Sequence, residues 1–170
     1  AANYKINEQL SAKASYARMY QYLHLVATSG VTLPTDIWYP SSQRVKPQRS
    51  DQVAAGLAYL LNSKWLFTIE TFYKDLQNQL ELVDGAEIFA NDALEEEFAI
   101  GQGQAYGLEW SVEKQEGRLQ GWIGYTLSRT ERSNFRKIDP NAQYAQQRPL
   151  SPFYDRRHDL SIVATYEINR

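Results

Sequence analysis

A chain of 170 residues with 43% hydrophobic content has the length of one domain, and a formal net charge of −2 argues against a nucleic-acid footprint. It holds no cysteine, which excludes disulfides and thiolate metal sites while leaving the redox compartment open. Its longest apolar run, 53–61, is far short of the roughly 18 residues of a membrane helix, a limit that does not touch membrane barrels, whose strands show only alternation.

In chain order, Tyr4 and Ile6, followed by Asn7 and Glu8, read as the tail of a strand and its turn. A weak strand is predicted over 10–19 and a second over 52–61, where Val53, Ala55, Leu57 and Tyr59 alternate with Gln52, Ala54, Gly56 and Ala58. The pattern is plainest over 64–75: Trp65, Phe67, Ile69, Thr71 and Tyr73 point one way, and Leu66, Thr68, Glu70, Phe72 and Lys74 the other. Over 105–114 the apolar set is Tyr106, Leu108, Trp110 and Val112, opposed by Gly107, Glu109, Ser111 and Glu113. Over 119–130 it is Leu119, Gly121, Ile123, Tyr125 and Leu127, with Trp122 the exception on the polar face. The last predicted strand, 158–168, sets Leu160, Ile162, Ala164, Tyr166 and Ile168 against Asp159, Ser161, Val163, Thr165 and Glu167.

The connections between these strands are of two kinds. Asn62 with Ser63, and Glu116 with Gly117, make tight hairpin turns on one side of the sheet. Segments 20–50, 76–104 and 131–157 read as long loops on the other side, and loops of that length usually carry function. Tyr59, Trp65 and Tyr166 fall near the tight-turn end, and Tyr73 and Tyr106 near the long-loop end, as two lipid-facing aromatic girdles would. Short turns, long loops and girdles together point to an all-β, antiparallel, up-and-down transmembrane barrel with periplasmic turns and extracellular loops. Such barrels begin at about eight strands, so six are expected to form part of a larger barrel. Ala1 opens no signal peptide, and an exported protein is therefore expected to carry this chain as a mature or internal segment.

Six stretches, in order, resemble TonB-dependent outer-membrane receptors, above all those of Bacteroidetes. They are Pro-Thr-Asp-Ile-Trp-Tyr-Pro (34–40), Val-Lys-Pro-Gln-Arg-Ser-Asp-Gln-Val (45–53) and Phe-Tyr-Lys-Asp-Leu-Gln-Asn-Gln (72–79) in the first half. Ala-Tyr-Gly-Leu-Glu (105–109), Gly-Trp-Ile-Gly-Tyr-Thr-Leu-Ser-Arg-Thr (121–130) and Tyr-Asp-Arg-Arg-His-Asp-Leu-Ser (154–161) follow. The resemblance implies a barrel of about 22 strands with a plugged lumen, a Gram-negative outer membrane, and import of a scarce nutrient energised through TonB. Residues 1–170 are then expected to be part of one barrel domain, with the plug, the TonB box and the remaining strands outside this chain. The expected partners are the rest of the barrel and its plug, the TonB system, lipid and lipopolysaccharide, and a surface lipoprotein as lid.

Candidate residues follow from that frame. Trp38, Tyr39, Arg44, Lys46 and Arg49 lie in the first long loop, where they either touch a ligand or, for Trp38, tuck against Pro34, Pro40 and Pro47. Glu70, Lys74, Glu109 and Glu113 are expected to face the lumen and bind the plug or line a substrate path. Arg156 and Arg157, within the charged cluster 155–159, either pair within the rim or meet lipopolysaccharide phosphate. His24, on the apolar run 22–26, reads as a packed histidine. The acidic run Glu95, Glu96 and Glu97, near Asp84, Glu87 and Asp92, has no EF-hand register and reads as a solvated loop with one helical turn near 93–98. Gly101, Gly103 and Gly107 have the wrong spacing for a phosphate-cradling loop and precede a strand, so no cofactor is expected. With two histidines and neither a nucleophile elbow nor a zincin motif, no enzyme is expected. A soluble ligand-binding barrel or a surface adhesion sheet is the other reading, and either requires a polar exterior.

Overall fold

The structure, a computed structural model, describes residues 1–26, 37–83, 86, 91–138, 145–146, 151–152 and 155–168. Its strands are β1 (Ala2–Lys5), β2 (Leu10–Gln21), β3 (Leu23–Val26), β4 (Ile37–Pro40), β5 (Gln48–Leu61), β6 (Trp65–Leu82), β7 (Phe98–Lys114), β8 (Leu119–Lys137), β9 (Ala145–Gln146) and β10 (His158–Tyr166). One antiparallel sheet runs β1-β2-β5-β6-β7-β8-β10, with β9 pairing the far end of β8, while β3 and β4 form a separate hairpin.

Register converts the alternation of single strands into two continuous faces. The row Tyr4, Ala12, Leu57, Ile69, Trp110, Tyr125, Leu160 crosses the whole sheet on one face, and Asn3, Lys13, Gly56, Glu70, Glu109, Thr126, Asp159 crosses it on the other. Val53, Ile69 and Leu108 on the apolar face are 49%, 44% and 41% exposed. Along β5 and the first part of β6 the apolar-face residues are exposed while their neighbours on the polar face are half-buried. That is the accessibility of a sheet curled with its polar side inward, the reverse of a soluble barrel, which hides its apolar side. Among the described residues the fully enclosed hydrophobic core is small, centred on Val45 and Phe98 at the long-loop end.

The polar side is crowded, and Gly56 meets that demand. Gly56 lies between Lys13 and Glu70 on the two flanking strands, and a Cβ there would stand 2.8 Å from the Ile69 carbonyl and 3.1 Å from Lys13 Cε. Its absence lets Lys13 and Glu70 meet in an ion pair across the strand between them. Gly121 has φ +152°, and a Cβ would lie 2.1 Å from the Val163 carbonyl oxygen. Asn62 and Ser63, at φ 50° and 56°, make the tight turn from β5 to β6, the left-handed geometry of a two-residue hairpin. Gly117, at φ +103°, supplies the positive φ in the connection 115–118 from β7 to β8.

The strands run farther than the alternation predicts. Of the segment read as a 76–104 loop, residues up to Leu82 belong to β6 and those from Phe98 to β7; β8 likewise continues to Lys137, inside the segment read as a 131–157 loop. Two bulges conceal these extensions. Asn78, at φ 55°, shifts the β6–β7 register between Gln77 and Gln79, and Asn134, at φ 58°, lies where the β7–β8 register shifts. An inserted residue reverses which parity faces which side, so the two-residue pattern breaks although pairing continues. The segment 20–50 likewise yields the end of β2, the β3–β4 hairpin and the start of β5. A 3-10 turn, Leu94–Glu97, stands where one helical turn is expected. Asp84 and Glu87 of the acidic loop, and Pro34 of the first loop, lie outside the described residues.

Candidate functional site

Three surfaces are candidates for function: the outward face, the inner wall and the long-loop rim. The outward face is bounded by two rows. At the upper edge Tyr16, Val53, Tyr73, Tyr106 and Arg129 pair in register, and the next row outward is fully polar: Arg18, Asp51, Asp75, Gln104, Glu131. At the lower edge Trp65 pairs with Lys114, whose ammonium stands 5.5 Å from the indole centroid, and Tyr166 pairs with Leu119. Tyr59 lies one row up, paired with Phe67. Between these edges the outward positions among the described residues carry no Asp, Glu, Lys or Arg. The imidazole of His158 sits 2.6 Å from the Tyr125 hydroxyl. From Trp65 to Tyr73 the strand rises about 26 Å, or about 20 Å along the membrane normal at a tilt of about 40°, close to the height of an outer-membrane apolar band.

The inner wall carries charge. Lys13 is paired with Glu70, and Glu109, Thr126 and Asp159 continue the same row around a hollow of about 300 Å³ that also includes Thr68 and Ser111. Thr68 and Ser111 hydroxyls hydrogen-bond at 2.7 Å. Lys74 lies over the Phe72 ring at 5.3 Å, and Glu113 faces Trp122 across the strand pair. All four sequence-predicted lumen residues therefore share one face. Lys13 and Asp159 complete it, and only the register across strands reveals them. The glycines 101, 103 and 107 lie inside β7.

At the rim, side chains of the first long loop are tied to the second. Tyr39 packs edge-on against Phe98 with centroids 5.1 Å apart and donates a hydrogen bond to Glu95 at 2.8 Å. Ser42 donates to the same carboxylate at 2.5 Å, and these two hydroxyls, Ser42 first, hold its pKa below the ordinary range. Arg44 pairs with Glu96 at 3.7 Å, and Lys137 with Glu97 at 3.5 Å. The acidic run is thus a latch in which each glutamate has a partner, not a free solvated loop. Arg49 stands 3.1 Å from Asp51, which also accepts from Tyr16 and Arg18. Of the five residues singled out in the first loop, Trp38, 59% exposed, and Lys46 are left facing outward, whereas Tyr39, Arg44 and Arg49 have partners within the chain.

His24 anchors the β3–β4 hairpin. It is 1% exposed. Gln48 donates to Nδ1 at 3.2 Å, so the proton sits on Nε2, which donates to Ser41 Oγ at 3.0 Å; Ser41 in turn donates to the Tyr22 carbonyl. Gln79, just past the bulge, donates to Gln48 and completes the chain. Burial lowers the His24 pKa from its ordinary value of 6.5, so the unfolded hairpin binds the proton more readily than the docked one. Docking stability is therefore full above about pH 6.5 and falls as pH drops from there through the folded-state pKa. The amide protection factors of 23–26 and 37–39, with the intrinsic pH dependence of exchange divided out, should fall on acidification from pH 7.5 to 5.5, and His24→Gln should abolish that fall; protection unchanged with pH would refute the anchoring role.

A family model described as TonB dependent receptor-like, beta-barrel, matches residues 1–167. Among solved structures, the ferric-catecholate import receptor Fiu of E. coli K12, in a closed form, superposes with a TM-score of 0.60 at 18% identity. The match covers 98% of this chain and 22% of that one. No curated protein matches.

Proposed function

Because the chain belongs to the TonB-dependent receptor β-barrel family of the Gram-negative outer membrane, whose members are transporters and not enzymes, we propose that it is one stretch of barrel wall in a nutrient importer. The observation that carries this reading is the uncharged, exposed outward band opposite a charged inner wall. Water would penalise such a band and lipid would not. The sheet is open at β1 and β10, and open edges in hydrocarbon leave backbone groups unpaired. Further strands of the same barrel domain would pair with both.

In this reading the rim captures the nutrient, with Trp38 and Lys46 as contacts, and Tyr39, Arg44 and Arg49 holding the loops that present them. Glu109 and Glu113, for which no partner stands among the described residues, face the plug or a substrate passing it, beside Glu70 and Lys74. TonB-driven rearrangement of the plug then opens the path. The six stretches of Bacteroidetes character support a receptor of that type, on which a surface lipoprotein lid would sit. Uptake assays on cells expressing the full-length receptor test the scheme, using labelled ferric chelates, cobalamin, oligosaccharides and peptides in turn. One class should accumulate, and a protonophore should abolish accumulation while sparing surface binding. Trp38→Ala with Lys46→Ala should lower surface binding about tenfold or more, the scale of a lost aromatic and charged contact. Accumulation indifferent to the protonophore would contradict it.

A further inference from the structure

The upper edge of the outward face holds a feature that barrel closure and nutrient import do not require. Thr71, Tyr106, Leu108 and Leu127 line a shallow hollow of about 370 Å³, and Arg129 and Arg157 border it. Arg129 lies in register with Tyr106 and Tyr73, in the girdle row itself, where an apolar surface ends and the polar row begins. Arg157 immediately precedes β10, and its carbonyl accepts the Ser128 amide at 3.0 Å, which fixes the backbone beside β8. Its side chain is exposed and meets no carboxylate among the described residues. Arg129 pairs with Glu131 through Nη2, and Glu131 is also held by Gln104 at 2.9 Å. A guanidinium has five N–H donors, so that pair leaves Arg129 able to bind a second anion.

We propose that this hollow seats a phosphate-bearing lipid of the outer leaflet, an acyl chain lying over Thr71, Leu108 and Leu127 and the phosphate held by Arg129 and Arg157. Three observations favour a lipid over a soluble anion: the hollow is mainly apolar, it is continuous with the outward band, and its cations sit at the level of the aromatic girdle. Arginine forks match phosphate oxygens in pairs, which suits them to a headgroup held at a fixed height.

The full-length receptor, purified in mild detergent and analysed by native mass spectrometry, tests this with three probes: bis-phosphorylated lipid A, its dephosphorylated form, and inorganic phosphate. The wild type should retain lipid A and not the dephosphorylated form. Arg129→Gln with Arg157→Gln should weaken retention roughly tenfold or more, the scale of a lost charge-assisted hydrogen bond. Should the double variant fail to insert, Arg157→Gln alone, outside the strands, should still weaken retention about threefold or more by the same argument. Equal retention by wild type and variants, equal retention of the dephosphorylated lipid, or displacement by millimolar inorganic phosphate would overturn the proposal.

Discussion

Ile69→Arg in the full-length receptor is expected to cost about 2–4 kcal/mol of barrel stability in a bilayer, the range for an arginine at the midplane of an outer-membrane strand. Ile69 lies in the middle row of the outward band, midway between Trp65 and Tyr73, with Leu57 and Trp110 on either side. On the proposed lipid-facing side an arginine would have neither counter-ion nor water, and both aromatic rows would be too distant for its guanidinium to reach in full. Glu109→Arg, one register row from the band but on the inner wall, should cost under about 1 kcal/mol, because an exposed charge facing water loses little solvation. Urea titration of both variants in phospholipid vesicles, read as heat-modifiable gel mobility, gives the comparison. Equal costs for the two would mean that the faces are misassigned.

Gly121→Val should be as damaging for a different reason. The added carbon would stand 2.1 Å from the Val163 carbonyl and 2.9 Å from Ala164 Cα, both backbone atoms of the neighbouring strand, and φ +152° is itself strained for an L side chain. No side-chain rotation relieves a clash with backbone, so β8 and β10 must separate at their tight-turn end. A cost of about 3 kcal/mol or more is expected from strain and overpacking together. Paired cysteines at Trp122 and Val163, which face each other across these strands, report the separation: they should cross-link in the parent and fail to do so when Gly121→Val is also present. Efficient cross-linking in both would refute the close approach.

How much of this was legible in the sequence depends on distance along the chain. Alternation is local, so the two faces of β6, β7, β8 and β10 are read directly from residues 64–75, 105–114, 119–130 and 158–168, and Trp122 stands on the inner face where its parity puts it. The extensions beyond Gln77 and before Gln102 were hidden because Asn78 and Asn134 each insert one residue and reverse parity, which turns a continuing strand into an apparently patternless loop. Asparagine's tolerance of positive φ is the signal that marks both sites, though the same residue is equally common in turns. Strands β3 and β4 are only four residues each, too short for periodicity to register.

The candidate site was less legible than the fold, since its contacts join residues far apart. Glu95 meets Tyr39 and Ser42 from more than fifty positions away, so a run of three glutamates reads as solvated until the fold supplies Ser42, Arg44 and Lys137. Lys13 and Glu70 meet only because Gly56 separates them, a relation that no single strand displays. Arg129 was absent from the candidates for the same reason. Its alternation places it outward, but only pairing with Tyr106 puts it at the girdle.

In the barrel proposed for this chain, odd-numbered residues 65–73 face lipid and even-numbered ones face the barrel interior. Cysteine-by-cysteine spin labelling of 65–73 in the full-length receptor, in outer-membrane vesicles, tests that orientation most directly, and this segment contributes no background thiol. Oxygen, which partitions into lipid, should relax labels at Phe67, Ile69 and Thr71 most strongly, while a water-soluble nickel chelate should not reach them; Thr68, Glu70 and Phe72 should show little oxygen enhancement. A two-residue oscillation of that phase is the result expected of a membrane barrel wall with its polar side inward. The opposite phase, or no oscillation, would contradict it.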